Sequence, residues 1–260
     1  PVSTPDAQVI LDLTPAPGAA PRGARWWAQS RLEWRQLMTN GEQLLLTLII
    51  PLAALVGVTR LDLATVDEAT PGVMALAILS TAFTSTAIAT GFERRSGVLK
   101  FLGATPLARS GLLVGKTAAT FAVIVVQLVL ISVVALTLGW SPQVTDPVAL
   151  VIAVILGTVA LGSWGFALAG MLRAEATLAV ANGIFLLLLF AGGTVLPTDR
   201  LPGAMTGVVQ FLPSAALGDA LRTLLGAPSA GEGIPTASLL VLLVWAIAGI
   251  AVSTRTFRWE

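Results

Sequence analysis

The 260-residue chain is 55% hydrophobic and only 11% charged, with a net charge of +1. A soluble domain carries about 25% charged residues, so most of this chain must be surrounded by lipid rather than water. The sequence has no cysteine and no histidine, which excludes disulfide frameworks, Cys- or His-ligated metal and haem sites, and hydrolases with a histidine base. The small net charge gives no indication of nucleic-acid binding.

The N-terminal region divides into two parts. Residues 1–23 are rich in Pro, Ala and Thr and predict a disordered cytoplasmic tail. Residues 24–41 place Trp27, Arg31 and Trp34 at helical spacing. Tryptophan combined with basic residues is typical of helices in the lipid headgroup region, so we predict an interfacial amphipathic helix. An ordinary soluble amphipathic helix is the alternative.

Six uncharged windows follow and predict an all-α polytopic membrane protein with six transmembrane helices. A helix needs about 20 residues to cross the hydrocarbon core. The first window is short and contains Pro51, so we expect it to kink or tilt. The predicted transmembrane domain is 42–260, with spans at about 43–59, 70–92, 113–139, 147–172, 176–196 and 235–254.

The distribution of basic residues predicts the orientation. If the six spans alternate, twelve basic residues share the side of the N terminus, and Arg60, Arg200 and Arg222 lie on the other side. Cytoplasmic loops carry the excess of Lys and Arg, so both termini are predicted to be cytoplasmic.

The connection between spans two and three contains its own short amphipathic helix, ended by Thr105-Pro106. A loop that merely sets the topology is one interpretation. The other is a docking helix, because apolar side chains rimmed by charge are suited to a soluble partner. The candidate docking residues are Glu93, Arg94, Arg95, Gly97, Val98, Leu99, Phe101, Leu102, Thr105 and Pro106.

The same connection resembles a known family. Glu93-Arg94-Arg95-Ser96-Gly97-Val98-Leu99, then Thr105-Pro106, Arg109 and Gly115-Lys116, resembles the ABC-2 permease pattern E-R-E-x-G-T-L, T-P-x-x-R and G-K. The pattern's third residue, Glu, is Arg95 here, and its Thr is Val98. The likeness is to bacterial permeases of drug and antibiotic exporters of the daunorubicin-resistance kind.

A second resemblance lies after span five. Leu196-Pro197, Phe211-Leu212-Pro213 and Asp219-Ala220-Leu221-Arg222 are similar to the family's extracellular segment between spans five and six. We expect a short helical hairpin there, with Ala204–Phe211 and Ala215–Leu225 as helices at the surface or half-inserted. The resemblance implies an extracellular gate formed by Pro197, Pro213, Asp219 and Arg222. A local ion pair between Asp219 and Arg222 is the alternative for those two residues.

The resemblance implies a permease subunit of an ATP-driven exporter in the bacterial plasma membrane. Its cargo would be hydrophobic or amphipathic: a drug, an antibiotic or a lipid-like compound. The docking helix would act as the coupling helix that enters an ATPase subunit, with two ATPases per complex and a second permease, either a copy or a paralogue. This chain would need no cofactor, since ATP and magnesium bind the partner ATPase.

A Walker-like run, Ser110–Thr117, does not predict nucleotide binding. It has Ser110 where the loop requires glycine, and it enters a membrane helix instead of following a strand. We interpret Lys116 as a residue at the membrane entry whose amine extends to the inner surface.

Polar residues inside the predicted spans are few. The candidates for lining a transport pathway are Thr47, Thr81, Thr84, Ser85 and Asn182. Ser and Thr in helices also bond their own helix's carbonyls, which is the alternative for the group in span two.

Two other functions remain open at this point. A lipid-modifying membrane enzyme would need acidic residues that converge near one membrane face, and the inner acids Glu42, Glu93 and Glu175 are scattered along the chain. A membrane anchor or assembly subunit without transport activity would tolerate polar-to-apolar changes in span two.

Overall fold

The computed structural model describes residues 20–39, 41–105, 108–191 and 207–257. All regular structure in these ranges is helical, which confirms the predicted all-α class. The elements are α1 (Arg22–Thr39), α2 (Gly41–Arg60), α3 (Val66–Ile78), a π-helical segment (Leu79–Ser85), α4 (Thr86–Arg95), α5 (Val98–Gly103), α6 (Arg109–Thr137), α7 (Pro147–Met171), α8 (Ala174–Ala191), α9 (Pro213–Leu225) and α10 (Thr236–Thr256).

Within the described residues, four helices are long and apolar enough to cross a membrane: Val66–Arg95, Arg109–Thr137, Pro147–Met171 and Thr236–Thr256. Val66–Arg95 comprises α3, the π segment and α4 as one continuous rod. Two shorter apolar helices, Thr47–Arg60 and Ala174–Phe190, coincide with the first and fifth predicted spans. The chain is therefore polytopic, while the count of six spans remains a prediction.

Local sequence signals explain several helix ends. The Thr65 hydroxyl accepts a hydrogen bond from the backbone N–H of Glu68 (3.3 Å), which begins α3. The Asp146 carboxylate accepts from the N–H groups of Val148 (2.9 Å) and Ala149 (3.0 Å), and Pro147 occupies the first turn of α7. These caps satisfy backbone donors that no preceding turn can pair.

Glycines allow the close helix packing at the centre of the molecule. A Cβ on Gly170 of α7 would lie 2.8 Å from the carbonyl oxygen of Thr256 at the end of α10. Farther along α7, a Cβ on Gly165 would lie 2.7 Å from the Phe83 carbonyl oxygen in the π segment. Helix α7 therefore packs directly on the backbones of two neighbours, as small residues permit in membrane proteins.

The helix α9 lies in the interior, which excludes the surface position, one of the two alternatives expected for it. Nearly all its residues are buried, and it packs against α3, α7 and α10. The loop before α7 is joined to it by backbone bonds from Gln143 to Leu225 and from Thr145 to Leu224, both 3.1 Å. The first predicted helix of the hairpin is only a single turn at 207–209 within the described residues. The surface position is thus wrong, because apolar neighbours on three sides cover α9, whereas the half-inserted position stays a prediction.

Contacts between helix termini define two opposite ends of the helix bundle. At one end, which we call the α5 end, the Arg94 guanidinium donates to the Gly170 carbonyl (3.0 Å), and Arg109 donates to the Phe257 carbonyl (3.3 Å). At the other, the α9 end, the Asp67 carboxylate accepts from the backbone N–H of Ser141 (3.0 Å). The contacts thus bring the starts and ends of distant helices together as alternating spans require. The membrane side that each end faces remains a prediction.

Candidate functional site

An ion cluster lies inside the α5 end, where three helices meet. The Lys116 ammonium on α6 is 2.9 Å from a Glu33 oxygen on α1 and 2.6 Å from a Glu93 oxygen on α4. The side chains of Lys116 and Glu33 are 6% and 8% exposed, whereas that of Glu93 is 23% exposed. The interpretation that Lys116 extends to the surface is therefore wrong, because two carboxylates hold its amine in the interior.

Close packing of α1 on α6 makes the cluster possible. A Cβ on Gly115 would lie 2.8 Å from Cγ of Gln29, so the absence of a side chain lets α1 approach. The Gln29 amide donates to the Glu33 carboxylate at 2.6 Å, one turn along the helix. The opposite side of α1 presents Trp27, which is 72% exposed. This helix thus buries its polar residues against α6 and exposes an aromatic side chain.

A cavity of about 450 Å³ adjoins the cluster. Its exposed lining residues, Gln36, Phe92 and Ser96, lie near the ends of α1 and α4, so it opens at the α5 end. From Ser96 to Thr81 the lining follows the α3–α4 rod for on the order of 20 Å at the usual helical rise. The lining residues are Glu33, Gln36, Leu37, Thr47, Thr81, Ser85, Thr86, Ala89, Thr90, Phe92, Glu93, Ser96, Lys116, Thr120 and Val123.

The deep part of the cavity coincides with the π-helical segment. The Thr81 hydroxyl donates to the Gln127 side-chain oxygen on α6 (3.0 Å), and the Gln127 amide donates to the Thr47 carbonyl on α2 (3.2 Å). The Thr86 hydroxyl donates to the Thr81 carbonyl, five residues earlier (3.2 Å). Short π segments within α-helices are frequent at functional sites. Here the segment connects three cavity-lining helices through hydrogen bonds.

The predicted pathway residues are divided by this arrangement. Thr47, Thr81 and Ser85 line the cavity together. Thr84 is buried outside the lining, and Asn182 is exposed on α8 away from it. Helical spacing alone does not distinguish Thr84 from Ser85, since the π segment alters the direction in which successive side chains point.

The predicted docking segment forms α5, but its apolar residues do not share one face. Leu99 is fully buried in a cluster with Leu112, Leu113, Phe166 and Phe257, with Leu102 packed partly against it. Phe101 is 81% exposed and Val98 is 40% exposed. The expectation that Leu99 forms part of an outward apolar face is therefore wrong, because Leu99 packs α5 onto its own chain, whereas Leu102 is only partly buried.

The charged residues of the segment also have distinct contacts. Glu93 points to Lys116, and Arg94 donates to the carbonyls of Gly170 and Leu172 at the end of α7. Arg95 forms an exposed ion pair with Glu175. These residues position the base of α5.

The turn residues complete the segment. Gly97 separates α4 from α5 with a φ of 80°, a left-handed conformation that favours glycine. The Thr105 hydroxyl donates to the Leu102 carbonyl (2.6 Å) and helps end α5. Pro106 lies outside the described residues.

Three of the four proposed gate residues are described, and they lie at the α9 end. Pro213 begins α9 and is buried, and Pro197 lies outside the described residues. The Arg222 guanidinium is 3.2 Å from the Asp219 carboxylate on the same helix, with Arg222 4% exposed. The local ion pair that the sequence left as an alternative is therefore present, in a buried setting.

Sequence reasoning missed Glu33, Lys116 and Thr90 as site residues. Thr90 is 2% exposed and lines the cavity. An available signal was the spacing of Gln29 and Glu33, two polar residues one turn apart on the side of α1 opposite Trp27. Within the described parts of the chain, no group of three or more acidic residues is placed to bind a metal ion.

Comparison with known proteins gives one clear result. The family model described as ABC-2 type transporter matches residues 24–225, the larger part of the chain. A comparison with curated protein sequences gives no match. The matched region includes α1, the ion cluster, the cavity, α5 and α9.

Proposed function

Because the chain belongs to the ABC-2 type transporter family, we propose that it is the permease subunit of an ATP-driven exporter in the bacterial plasma membrane. The family is the multi-pass membrane component of ABC transporters and works with separate ABC ATPases. Six spans with cytoplasmic termini, outward transport and an amphipathic cargo complete the proposal. ATP hydrolysis takes place on the partner chain.

The observation that carries the proposal is the way α5 is built. Phe101 is presented to solvent while Leu99 is fully buried in the same short helix. An exposed aromatic side chain can insert into a groove of a partner protein. Because Leu99 anchors α5 to the rest of the chain, a force applied to Phe101 would be transmitted to the membrane helices. Arg94 and Arg109 connect this end to α7 and to the residue after α10.

The cavity gives the cargo a place to bind. Its mixed lining of hydroxyl, apolar and charged side chains suits a compound with both polar and apolar parts.

In the proposed mechanism, ATP binding closes two ATPase subunits, and α5 transmits that motion to α4, which lines the cavity. Two permeases, identical or paralogous, pair across a path lined by spans one, two and five, and the α9 end forms the outer gate.

The test compares two exposed apolar residues at opposite ends. Phe101→Asp should abolish co-purification of a stoichiometric P-loop ATPase from mildly solubilised membranes. Leu61→Asp is the matched control, because Leu61 is 70% exposed at the α9 end and lies outside the docking helix. Failure of the wild-type chain to bring down any ATPase in several detergents would overturn the proposal, as would an unchanged ATPase yield with Phe101→Asp.

The lipid-enzyme alternative retains one supporting observation. Glu33 and Glu93 do converge, which their sequence positions did not show. Lys116 pairs with both carboxylates, however, so proton transfer by either would first have to break an ion pair. If Glu93→Gln stopped the turnover of a lipid while the ATPase complex remained assembled, the enzyme would be favoured over the exporter.

A further inference from the structure

The charges on the cavity wall do not balance. Among the lining residues, Glu33 and Glu93 are acidic and Lys116 is basic, so the wall carries a net charge of −1 when all three are ionised. Nearby arginines on α4 point elsewhere: Arg94 to the end of α7, and Arg95 to Glu175. In a poorly hydrated site, an excess negative charge favours a cation that can replace lost water.

A second observation is independent of the charges. Thr90 lines the cavity between Glu93 and Thr86, is 2% exposed, and its hydroxyl has no hydrogen-bond partner among the described residues. Most buried polar side chains are paired, so an orphaned hydroxyl on a cavity wall indicates a missing partner. Located one turn from Glu93, this oxygen can accept a hydrogen bond from the same group that the carboxylate attracts.

The rest of the lining limits the size and shape of the ligand. Leu37, Ala89 and Val123 provide apolar surface, and the charged cluster lies toward the opening at the α5 end. A volume of about 450 Å³ falls within the range of ~300–1,000 Å³ that holds drug-sized molecules. A single amine on a compact apolar body matches this wall better than a carboxylate or a two-tailed lipid.

We infer that the cavity selects cationic amphipathic molecules, holding a protonated amine against Glu93 and the Thr90 hydroxyl while the apolar body extends toward Val123. The inference rests on the proposed function, since it names the substrate class of that same site. Lys116 holds both carboxylates in place, and the ligand's ammonium group would neutralise the net negative charge that remains on the wall.

Direct binding tests this selectivity without the ATPase. The full chain in lipid nanodiscs is titrated with dansylcadaverine, which ends in a primary amine, and with its neutral N-acetyl derivative. A dansyl probe of similar length that ends in a carboxylate is the third ligand, and empty nanodiscs correct for lipid partitioning. We expect the amine to bind about tenfold more tightly than the N-acetyl probe, as for one charge-assisted hydrogen bond.

Three variants locate the effect. Glu93→Gln should bring the affinity ratio of amine to N-acetyl probe close to one, while retaining a hydrogen-bond partner for Lys116. Thr90→Val is nearly isosteric and should lower the ratio by about threefold, through loss of one neutral hydrogen bond. Glu175→Gln removes an acid outside the cavity and should leave the ratio unchanged.

The wild-type titration alone can overturn the inference, even if a variant fails to fold. Equal affinity for the amine and N-acetyl probes, or tighter binding of the carboxylate, would contradict it, as would an unchanged ratio in folded Glu93→Gln. ATPase co-purification is scored on the same preparations. An ATPase complex without amine preference would reject only this inference, whereas amine preference without any ATPase would reject only the exporter.

Discussion

The α5 end and the α9 end each bury one basic side chain, but they neutralise it in different ways. Lys116 pairs with carboxylates on two other helices, 83 and 23 residues away along the chain. Arg222 pairs with Asp219, three residues away on its own helix. The Lys116 cluster therefore joins α1, α4 and α6 beside an open cavity, while the ion pair between Arg222 and Asp219 joins two positions of one turn of α9. The cluster lies at the end where motion is proposed to enter.

Removal of each basic side chain is the strongest test of this difference. Lys116→Met leaves Glu33 buried without a cation and should lower the free energy of unfolding by about 3–5 kcal/mol. Arg222→Met leaves Asp219, whose side chain is 31% exposed and accessible to water, so we expect a smaller loss. Thermal unfolding of the purified chains in detergent measures both.

A combined variant distinguishes charge from packing in this test. Lys116→Met together with Glu33→Gln and Glu93→Gln removes every charge of the cluster and should regain most of the lost stability. If Arg222→Met proved as damaging as Lys116→Met, the proposed contrast between the two ends would not hold.

A pair of glycines on α7 tests the region between the ends. Gly165→Ala places a Cβ 2.7 Å from a backbone carbonyl oxygen of the π segment and should cost about 1–3 kcal/mol of unfolding free energy. Gly162→Ala, on the same helix, would place its Cβ 3.6 Å from the nearest atom, an ordinary contact. Chemical denaturation should therefore separate the two variants. Equal unfolding free energies for the two variants would show that the π segment can shift to accommodate the added Cβ.

Two glycines with a left-handed backbone conformation, one beside α5 and one after α6, allow a comparison in which alanine would introduce similar backbone strain. Gly97 before α5 has a φ of 80° and Gly139 after α6 has a φ of 95°, and an added Cβ would meet no neighbour at either position. Alanine should cost about 1–2 kcal/mol of unfolding free energy at each. Only Gly97→Ala should also lower the amount of co-purified ATPase, because Gly97 sets the direction of α5. A similar loss with Gly139→Ala would attribute the effect to general instability.

The smallest effect is expected at the exposed ion pair. Arg95 and Glu175 have side chains that are 61% and 63% exposed. Solvent and salt screen such a pair, so Glu175→Gln should change the free energy of unfolding by less than about 1 kcal/mol. Differential scanning fluorimetry at low and high salt checks this value. A large loss of stability would show that the pair holds α4 and α8 together more firmly than its exposure indicates.

Much of the helical framework follows from the sequence, because a membrane helix requires a long uncharged apolar run. The windows that predicted spans two, three, four and six lie on helices that the structure shows to be long and apolar enough. Family membership followed from the residues around Glu93 and Gly97, whose pattern is local. Both kinds of signal depend on neighbours along the chain, which a single sequence contains.

The candidate site was less predictable, because it depends on contacts between distant residues. Lys116 points inward because Gly115 has no side chain and lets α1 pack closely on α6. The hydrophobic periodicity of the sequence contains no information about this contact. Helix α5 has six residues, too few for spacing to show that Leu99 faces inward and Phe101 outward. The helix α9 was expected at the surface or half-inserted because prolines interrupt its region, yet three apolar neighbours enclose it. Tertiary packing decided each of these cases.

The two bonds that Arg94 donates to the end of α7 have a mechanical consequence. They fix one point of the α3–α4 rod, two residues before the chain turns into α5 at Ser96 and Gly97. If an ATPase subunit bears on Phe101 as proposed, the load therefore reaches the rod beside its attachment to α7. The rod also packs on α7 where Gly165 meets the Phe83 carbonyl, and Thr81 bonds to Gln127, so the rod cannot pivot at Arg94 alone. A displacement of α5 would then have to carry α7 with it.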